Sequence, residues 1–213
     1  MRAGGTASPL SETAMTEVYA TALEVQRLCE SQHWDFCIIG GLAVQRWGEP
    51  RLTRDVDVTL ITGFGGEEKF IEVWLRHYQF RFPGSREMAL ASRVLLLTNN
   101  RGTPVDVALG GIDFERRSIQ RSSLWKIPEV ALRTCSAEDL LVHKCFAGRE
   151  RDWVDVDGVL ARQKDKLSLD LVRCELKPLL ELQGKPESLA RLEQKIRDHD
   201  RPFTTIPPPK TEI

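Results

Sequence analysis

The chain has 213 residues, enough for one domain with a complete hydrophobic core or for a larger domain with a small appendage. Hydrophobic residues make up 41% and charged residues 29%, an ordinary balance for a soluble globular protein. The formal net charge of −1 excludes a global field that would draw the protein to nucleic acid or to an anionic membrane.

One segment departs from this neutral balance. Residues 81–133 carry nine Lys and Arg against five Asp and Glu, and Arg116, Arg117 and Arg121 lie close together in it. Such a local excess is either a solvated rim or a surface for a polyanion, and the sequence leaves both interpretations open.

The cysteines and histidines indicate neither a zinc site nor a redox motif. The five cysteines are scattered without a C-x-x-C spacing, and the four histidines form no cluster. We therefore expect a reducing, cytoplasmic compartment. We expect neither export nor a membrane span, because the start has no apolar run of signal-peptide length and nowhere are there about 18 consecutive apolar residues.

The first part of the chain predicts alternating helices and strands. Residues 1–10 indicate a flexible start, followed by a helix over about 12–31. The next stretches predict, in order, a buried strand ending in two glycines, a short helix, a strand with one wet face, a helix, and two strands joined as a hairpin. They are "WDFCIIGG", "LAVQRW", "DVDVTLI", "GGEEKFIEVWLRHY", "RVLLLTNN" and "TPVDVALG".

After Leu132 the pattern becomes helical. "SAEDLLVHKCFAG" begins with a capping-box-like Ser136…Asp139, Gly148 interrupts it, and three further helical stretches follow. We predict an α/β (α+β) fold: a mixed β-sheet core with flanking helices over residues 1–134 and a helical C-terminal portion over 135–200. The proline-rich residues 201–213 are predicted to form a flexible tail.

Two aspartates interrupt the strand that begins near residue 55. Residues two apart on a strand share a face, so Asp55 and Asp57 present two carboxylates to one side while Val56 and Val58 enter the core. Like charges this close stay ionised only beside a cation. Asp106 is a third acid, alternating with valines in "PVDVAL". Oxygen ligands without His or Cys indicate magnesium or manganese rather than zinc.

The glycine pair suits the same chemistry. Gly40 and Gly41 end a strand and let the backbone approach a ligand, and the helix that follows directs its free N–H groups at a phosphate. Each motif alone is weak. The ordered set is more specific: a strand, two glycines, a short helix, thirteen residues between Gly41 and Asp55, a D-x-D strand and a later strand with one acid.

This set resembles the nucleotidyltransferase superfamily with the DNA polymerase β-like fold. A second block in "EDLLVHKCFAGRERDWVDVDGVL", with Lys144, Arg151, Asp152 and Asp155, is similar to that of the AbiEii/AbiGii-type toxin nucleotidyltransferases. The resemblance implies an NTP substrate, Mg²⁺ (or Mn²⁺) as cofactor and transfer of a nucleoside monophosphate. It also implies RNA, with tRNA foremost, or protein as the acceptor, a role as the toxin of a toxin–antitoxin pair, and a cognate antitoxin protein as partner.

The resemblance also implies roles for individual residues. Asp55, Asp57 and Asp106 are expected as metal ligands and, with Lys144 and Asp152, as the catalytic set. The nucleotide is expected to contact Gly40, Gly41, Arg54 and Lys144.

Several alternatives stay open. Lys144 is otherwise an ordinary solvated helix lysine, and Arg151 with Asp155 an intrahelical ion pair. Gly41 stands where many members of the superfamily have serine, and the chain is short for the toxin group. The competing functions are a small-molecule nucleotidyltransferase of the antibiotic-modifying sort and a catalytically silent binding module or antitoxin.

Overall fold

The centre of the fold is a mixed β-sheet, in a computed structural model that describes residues 9–128 and 130–200. Its strands in the order β3-β4-β5-β2-β1-β7-β6 form one seven-stranded sheet of the described residues. They are β1 (Phe36–Ile38), β2 (Val56–Ile61), β3 (Gln79–Phe80), β4 (Val94–Thr98), β5 (Pro104–Gly110), β6 (Ser123–Ile127) and β7 (Val130–Thr134). The pairs β2–β5 and β1–β7 are parallel, and the other neighbours are antiparallel.

Helices flank the sheet and continue beyond it. In the described part of the chain they are α1 (Pro9–Ser31), α2 (Gly40–Trp47), α3 (Glu67–Trp74), α4 (Ser85–Ser92), α5 (Asp113–Gln120), α6 (Ala137–Ala147), α7 (Glu150–Gln163), α8 (Leu169–Gln183) and α9 (Glu187–Asp200). None of these helices combines the length and the apolar character that crossing a membrane requires.

One face of the sheet is fully covered. Alternate residues of β2 and β5, such as Val58 and Val107, are buried in a core cluster with apolar residues of α1, α3 and α4. Because successive strand residues point to opposite faces, Asp57 and Asp106 lie on the other face. There the alternate residues of β4 and β5, including Leu96, are only partly buried.

A second core cluster joins the helical portion to the start of the chain. Cys37 of β1 and Val44 of α2 share it with Leu140 of α6, Val156 of α7 and Leu176 of α8. Apolar residues from both sides of residue 134 therefore share one cluster. The predicted boundary between a domain over residues 1–134 and a helical portion over 135–200 stays a prediction. This packing brings the helical portion beside the carboxyl end of β1.

The mixed sheet with flanking helices and a helical C-terminal portion confirms the predicted fold class. The hairpin of β4 and β5 is also confirmed, and α1 begins at Pro9 rather than near residue 12. The sequence did not predict β3, α4, α5, β6 or β7. The predicted flexible tail over 201–213 and the first eight residues lie outside the described residues.

Candidate active site

The two acids predicted on separate strands are direct neighbours in the sheet. Asp57 of β2 and Asp106 of β5 are register partners of the parallel pair, and Asp55 immediately precedes β2. All three are partly buried, and the side chain of Asp106 is 28% exposed. The fold therefore places three carboxylates together beside the first turn of α2.

Asp57 carries a charge that its surroundings compensate poorly. Burial, followed by the charges of Asp55 and Asp106, raises the pKa of Asp57 to about 6. Opposing this rise are a long hydrogen bond, 3.4 Å, that the Gly41 N–H donates to Asp57 Oδ2, and the more distant charge of Lys144. A carboxylate in such a place favours a bound proton or a bound cation.

The two outer acids have partners within the protein. The Thr53 hydroxyl donates to Asp55 Oδ1 at 2.8 Å, and the Arg81 guanidinium donates to Asp106 Oδ1 in an ion pair. Burial raises the pKa of Asp106, and Arg81 partly opposes that rise. No local pattern in the sequence points to Arg81, because the strand before it has two residues and no visible period.

The donor set suits a hard divalent cation such as Mg²⁺ or Mn²⁺. It consists of carboxylate oxygens, and a cation bound there would neutralise the poorly compensated negative charge of Asp57. Within residues 9–128 and 130–200, however, no three His, Cys, Asp or Glu side chains already converge as a coordination shell. One oxygen of Asp55 and one of Asp106 are each engaged by a protein partner, Thr53 and Arg81 respectively.

The glycine pair is required by close packing against the acids. Gly40 has φ +59°, and a Cβ there would lie 1.9 Å from Asp57 Oδ2. A Cβ on Gly41 would lie 2.1 Å from Thr53 Oγ1. Protein side chains therefore occupy the space that the missing methyl groups leave, and contact of either glycine with a nucleotide stays a prediction.

Lys144 is buried, which overturns its interpretation as a solvated helix lysine. It is 7% exposed on α6, the helix that Ser136 caps by accepting a hydrogen bond from Asp139 N–H. Its Nζ lies 3.1 Å from Asp152 Oδ1 and 2.8 Å from Asp155 Oδ2, both on α7. The ammonium group is therefore held between two carboxylates.

Asp155 joins this buried group to the segment that carries the acids. Arg51 donates to both of its carboxylate oxygens, from Nε at 2.6 Å and from Nη2 at 2.8 Å. Burial acts to raise the pKa of Asp155, but the hydrogen bonds from Arg51 and Lys144 outweigh it and lower that pKa. Asp155 thus pairs with Arg51 and Lys144, and the expected intrahelical pair with Arg151 is replaced by this network.

The remaining predicted residues, Arg54 and Asp152, have different surroundings. Arg54 is exposed, immediately precedes Asp55 and forms no ion pair with another described residue. Asp152 is buried beside Lys144 and also accepts a hydrogen bond from Arg149 Nε at 2.9 Å. Arg54 is therefore free to meet a ligand, whereas Asp152 is committed to the network.

Most of the basic segment over residues 81–133 is neutralised by ion pairs. Six of its nine cations pair with acids: Arg81 with Asp106, Arg86 with Glu68 and Glu72, Arg93 with Glu67, Arg101 with Glu17 and Glu24, Arg117 with Glu175, and Arg121 with Asp139 and Glu175. Arg116, Lys126 and Arg133 form no ion pair with another described residue. The local positive excess is therefore much weaker than the sequence suggests.

Comparison with known proteins gives structural likenesses only. No protein-family model matches the chain, and no curated protein matches it. The fold is similar to an antigenic nucleotidyltransferase-like protein from Paracoccidioides brasiliensis, with 16% identity, a TM-score of 0.46, and coverage of 87% of this chain and 94% of that one. It is also similar to the antibiotic-resistance factor ANT(2'')-Ia, with 15% identity, a TM-score of 0.49, and coverage of 84% and 98%.

A third similar structure is the lincosamide antibiotic adenylyltransferase LnuA, with 14% identity, a TM-score of 0.42, and coverage of 64% of this chain and 92% of that one. Identities this low and TM-scores below 0.5 do not establish a family. The function has to be inferred from this chain's own residues.

Proposed function

We propose that the protein is a nucleotidyltransferase that moves a nucleoside monophosphate from an NTP to an acceptor hydroxyl and releases pyrophosphate. The observation that carries this proposal is the register pairing of Asp57 with Asp106, with Asp55 one residue before the strand. Stability alone gives no reason to place three carboxylates on one partly exposed sheet face, where burial and then the charges of Asp55 and Asp106 raise the pKa of Asp57.

Asp55, Asp57 and Asp106 would hold Mg²⁺ (or Mn²⁺) in this enzyme. When bound, the cation supplies charge neutralisation for the triphosphate and for the departing pyrophosphate. The exposed residue Arg54, which immediately precedes Asp55 in the chain, would bind the phosphates.

Asp106 positions the acceptor hydroxyl and takes its proton. As the new bond to the α-phosphorus forms, the bond between that phosphorus and the bridging oxygen breaks, and its electron pair leaves with pyrophosphate. The buried ammonium of Lys144 would have to leave two carboxylates to reach a phosphate. We therefore assign Lys144, Asp152 and Asp155 to holding α7 against the segment that carries the acids, rather than to contacting the nucleotide.

The finer proposal concerns the acceptor. The resemblance of the two motif blocks supports RNA, with tRNA as the first choice, or a protein, and a cytoplasmic role as a toxin restrained by a cognate antitoxin. The ion pairing of six of the nine cations in residues 81–133 instead favours a small-molecule acceptor, since a polyanion needs unpaired basic groups. The two acceptor classes are therefore tested together.

The test incubates purified protein with each NTP labelled at the α-phosphate, Mg²⁺, and either total tRNA or a panel of hydroxyl-bearing antibiotics. Asp57→Asn is the matched inactive variant, because it keeps the shape of the side chain and removes only the charge. We expect label in one acceptor with the wild type and none with the variant. If correctly folded wild-type protein neither transfers label nor binds any NTP, the catalytic proposal is wrong and a silent binding module replaces it.

A further inference from the structure

Arg81 lies in line with the paired acids across the sheet. Its backbone N–H donates to the Leu96 carbonyl at 3.1 Å, which extends the pairing of β3 with β4 by one residue. Leu96 of β4 is in turn the register partner of Asp106 of β5, and Asp106 is that of Asp57. The Arg81 side chain crosses β4 and ends on Asp106 Oδ1, with a second contact of 3.3 Å to the Leu97 carbonyl.

The Arg81–Asp106 ion pair is more exposed to solvent than the Arg51–Asp155 ion pair and therefore costs less to open. The side chains of Arg81 and Asp106 are 32% and 28% exposed, so water can replace either partner as they separate. Asp155, by contrast, is 2% exposed and meets Arg51 through both carboxylate oxygens. Opening that pair would leave the buried Asp155 carboxylate with Lys144 as its only described cation and with two hydrogen bonds lost, at a higher cost.

We propose that Arg81 is the internal counter-ion of Asp106 and exchanges with the divalent cation of the site. In the cation-free protein it neutralises one of three clustered carboxylates; when a cation binds, it releases Asp106 Oδ1. The inference rests on the proposed function, because it takes the acids as metal ligands. It also explains why carboxylates that share one sheet face do not converge as a coordination shell.

The exchange follows from the limited space around one carboxylate oxygen. A guanidinium on Asp106 Oδ1 blocks that oxygen from a metal ion, and its positive charge repels a dication at short range. Cation binding must therefore include the free energy of opening the Arg81–Asp106 pair. Arg81 is a positioning residue in this scheme, since it acts through Asp106.

The experiment measures binding of Mn²⁺ alone to the full chain, by the electron paramagnetic resonance signal of free Mn²⁺. Because Arg81→Gln removes the competitor, we expect it to lower the dissociation constant about fivefold or more. Arg76→Gln removes the same charge from an exposed arginine that has no ion pair with another described residue, and should leave the constant unchanged. Thermal unfolding of each variant checks that it is folded.

A double-mutant cycle separates exchange at Asp106 from general repulsion by a nearby positive charge. In an Asp106→Asn background there is no pair to open, so adding Arg81→Gln should no longer tighten Mn²⁺ binding. If it still tightens binding by the full factor, the effect is general repulsion and the exchange is overturned. Arg81→Lys, which keeps the charge without the planar fork, should tighten binding by a smaller factor and replaces Arg81→Gln if that variant does not fold.

Asp57→Asn distinguishes failure of this inference from failure of the proposed function. If Mn²⁺ binding depends on Asp57 but Arg81→Gln leaves it unchanged or weakens it, the exchange alone is overturned. If Mn²⁺ binding is absent or independent of Asp57, the metal site itself is wrong, and the exchange fails with it.

Discussion

Gly41 and Thr53 pack so closely that position 41 accepts only glycine. A Cβ there would lie 2.1 Å from Thr53 Oγ1 and 2.7 Å from Thr53 Cβ. The same hydroxyl donates to Asp55 Oδ1, so Thr53 cannot move without releasing an acid of the site.

Gly41→Ser should therefore destabilise the fold through overpacking, by about 2 kcal/mol. Thr53→Ala in the same chain should recover part of that loss, because it removes the hydroxyl that the new side chain meets. Urea unfolding of the two single variants and the double variant measures both effects.

Gly66→Ser is the matched control for this prediction. Gly66 is the N-cap of α3, where a serine hydroxyl is favoured and a Cβ would make only ordinary van der Waals contacts, the nearest at 3.6 Å from Lys69 Cε. The same substitution should therefore cost nothing at Gly66. Equal losses at the two positions, or no recovery with Thr53→Ala, would contradict the packing argument.

Asp57→Asn should stabilise the cation-free protein at neutral pH. The pKa of Asp57 is raised to about 6 from 3.8, so the folded state binds this proton more tightly than the unfolded state does. The free energy of unfolding of the wild type therefore falls as the pH rises from about 4 to about 6, and the loss persists above that range. Asparagine does not titrate, so the Asp57→Asn variant does not lose this free energy of unfolding.

The expected gain at neutral pH is at most about 3 kcal/mol, since the pKa rises from 3.8 to about 6 and each unit corresponds to about 1.4 kcal/mol. Little difference is expected at about pH 3, where Asp57 is mostly protonated in both states. Urea unfolding in a chelating buffer at the two pH values measures this. A variant less stable than the wild type at neutral pH would mean that the Asp57 carboxylate is well compensated, contrary to its pKa.

The elements with a clear period were predictable from sequence. Strict alternation in β2 and β5 placed Asp57 and Asp106 opposite the core face. Burial alternates in that way around both acids, whereas Thr59, further along β2, is buried too. Ser136, predicted to start a helix, does cap α6. These features depend on neighbours within a few residues, so the local sequence carries them.

The partners of the charged groups were not predictable. Arg51 and Asp155 are 104 positions apart, and Arg117 and Glu175 are 58 apart, so no local pattern links them. Arg81 was missed because the preceding strand, Gln79–Phe80, has two residues and depends on β4 for its hydrogen bonds. Such short edge elements are defined by tertiary contacts rather than by periodicity.

Lys144→Ala should lower the free energy of unfolding by about 3 kcal/mol, because it leaves Asp152 and Asp155 buried without their shared cation. The measurement is urea unfolding at neutral pH. Lys166→Ala, at an exposed lysine, is the control and should change stability by less than about 0.5 kcal/mol. If the Lys144→Ala variant has wild-type stability but binds NTP poorly, the structural role is wrong and Lys144 is a phosphate ligand.

RNA binding, if it occurs through residues 81–133, should depend only weakly on salt. Three cations in that segment form no ion pair with another described residue: Arg116, Lys126 and Arg133. Each phosphate contact contributes about 0.7 to 0.9 to the magnitude of the slope of log K against log salt concentration. We therefore expect a slope of about −2 to −3 in filter-binding titrations with tRNA. Arg116→Gln with Arg133→Gln should reduce its magnitude by about 1.5, and Arg76→Gln should not. A slope near −7, which needs all nine cations, would show that the ion pairs open on RNA and would favour RNA over a small-molecule acceptor.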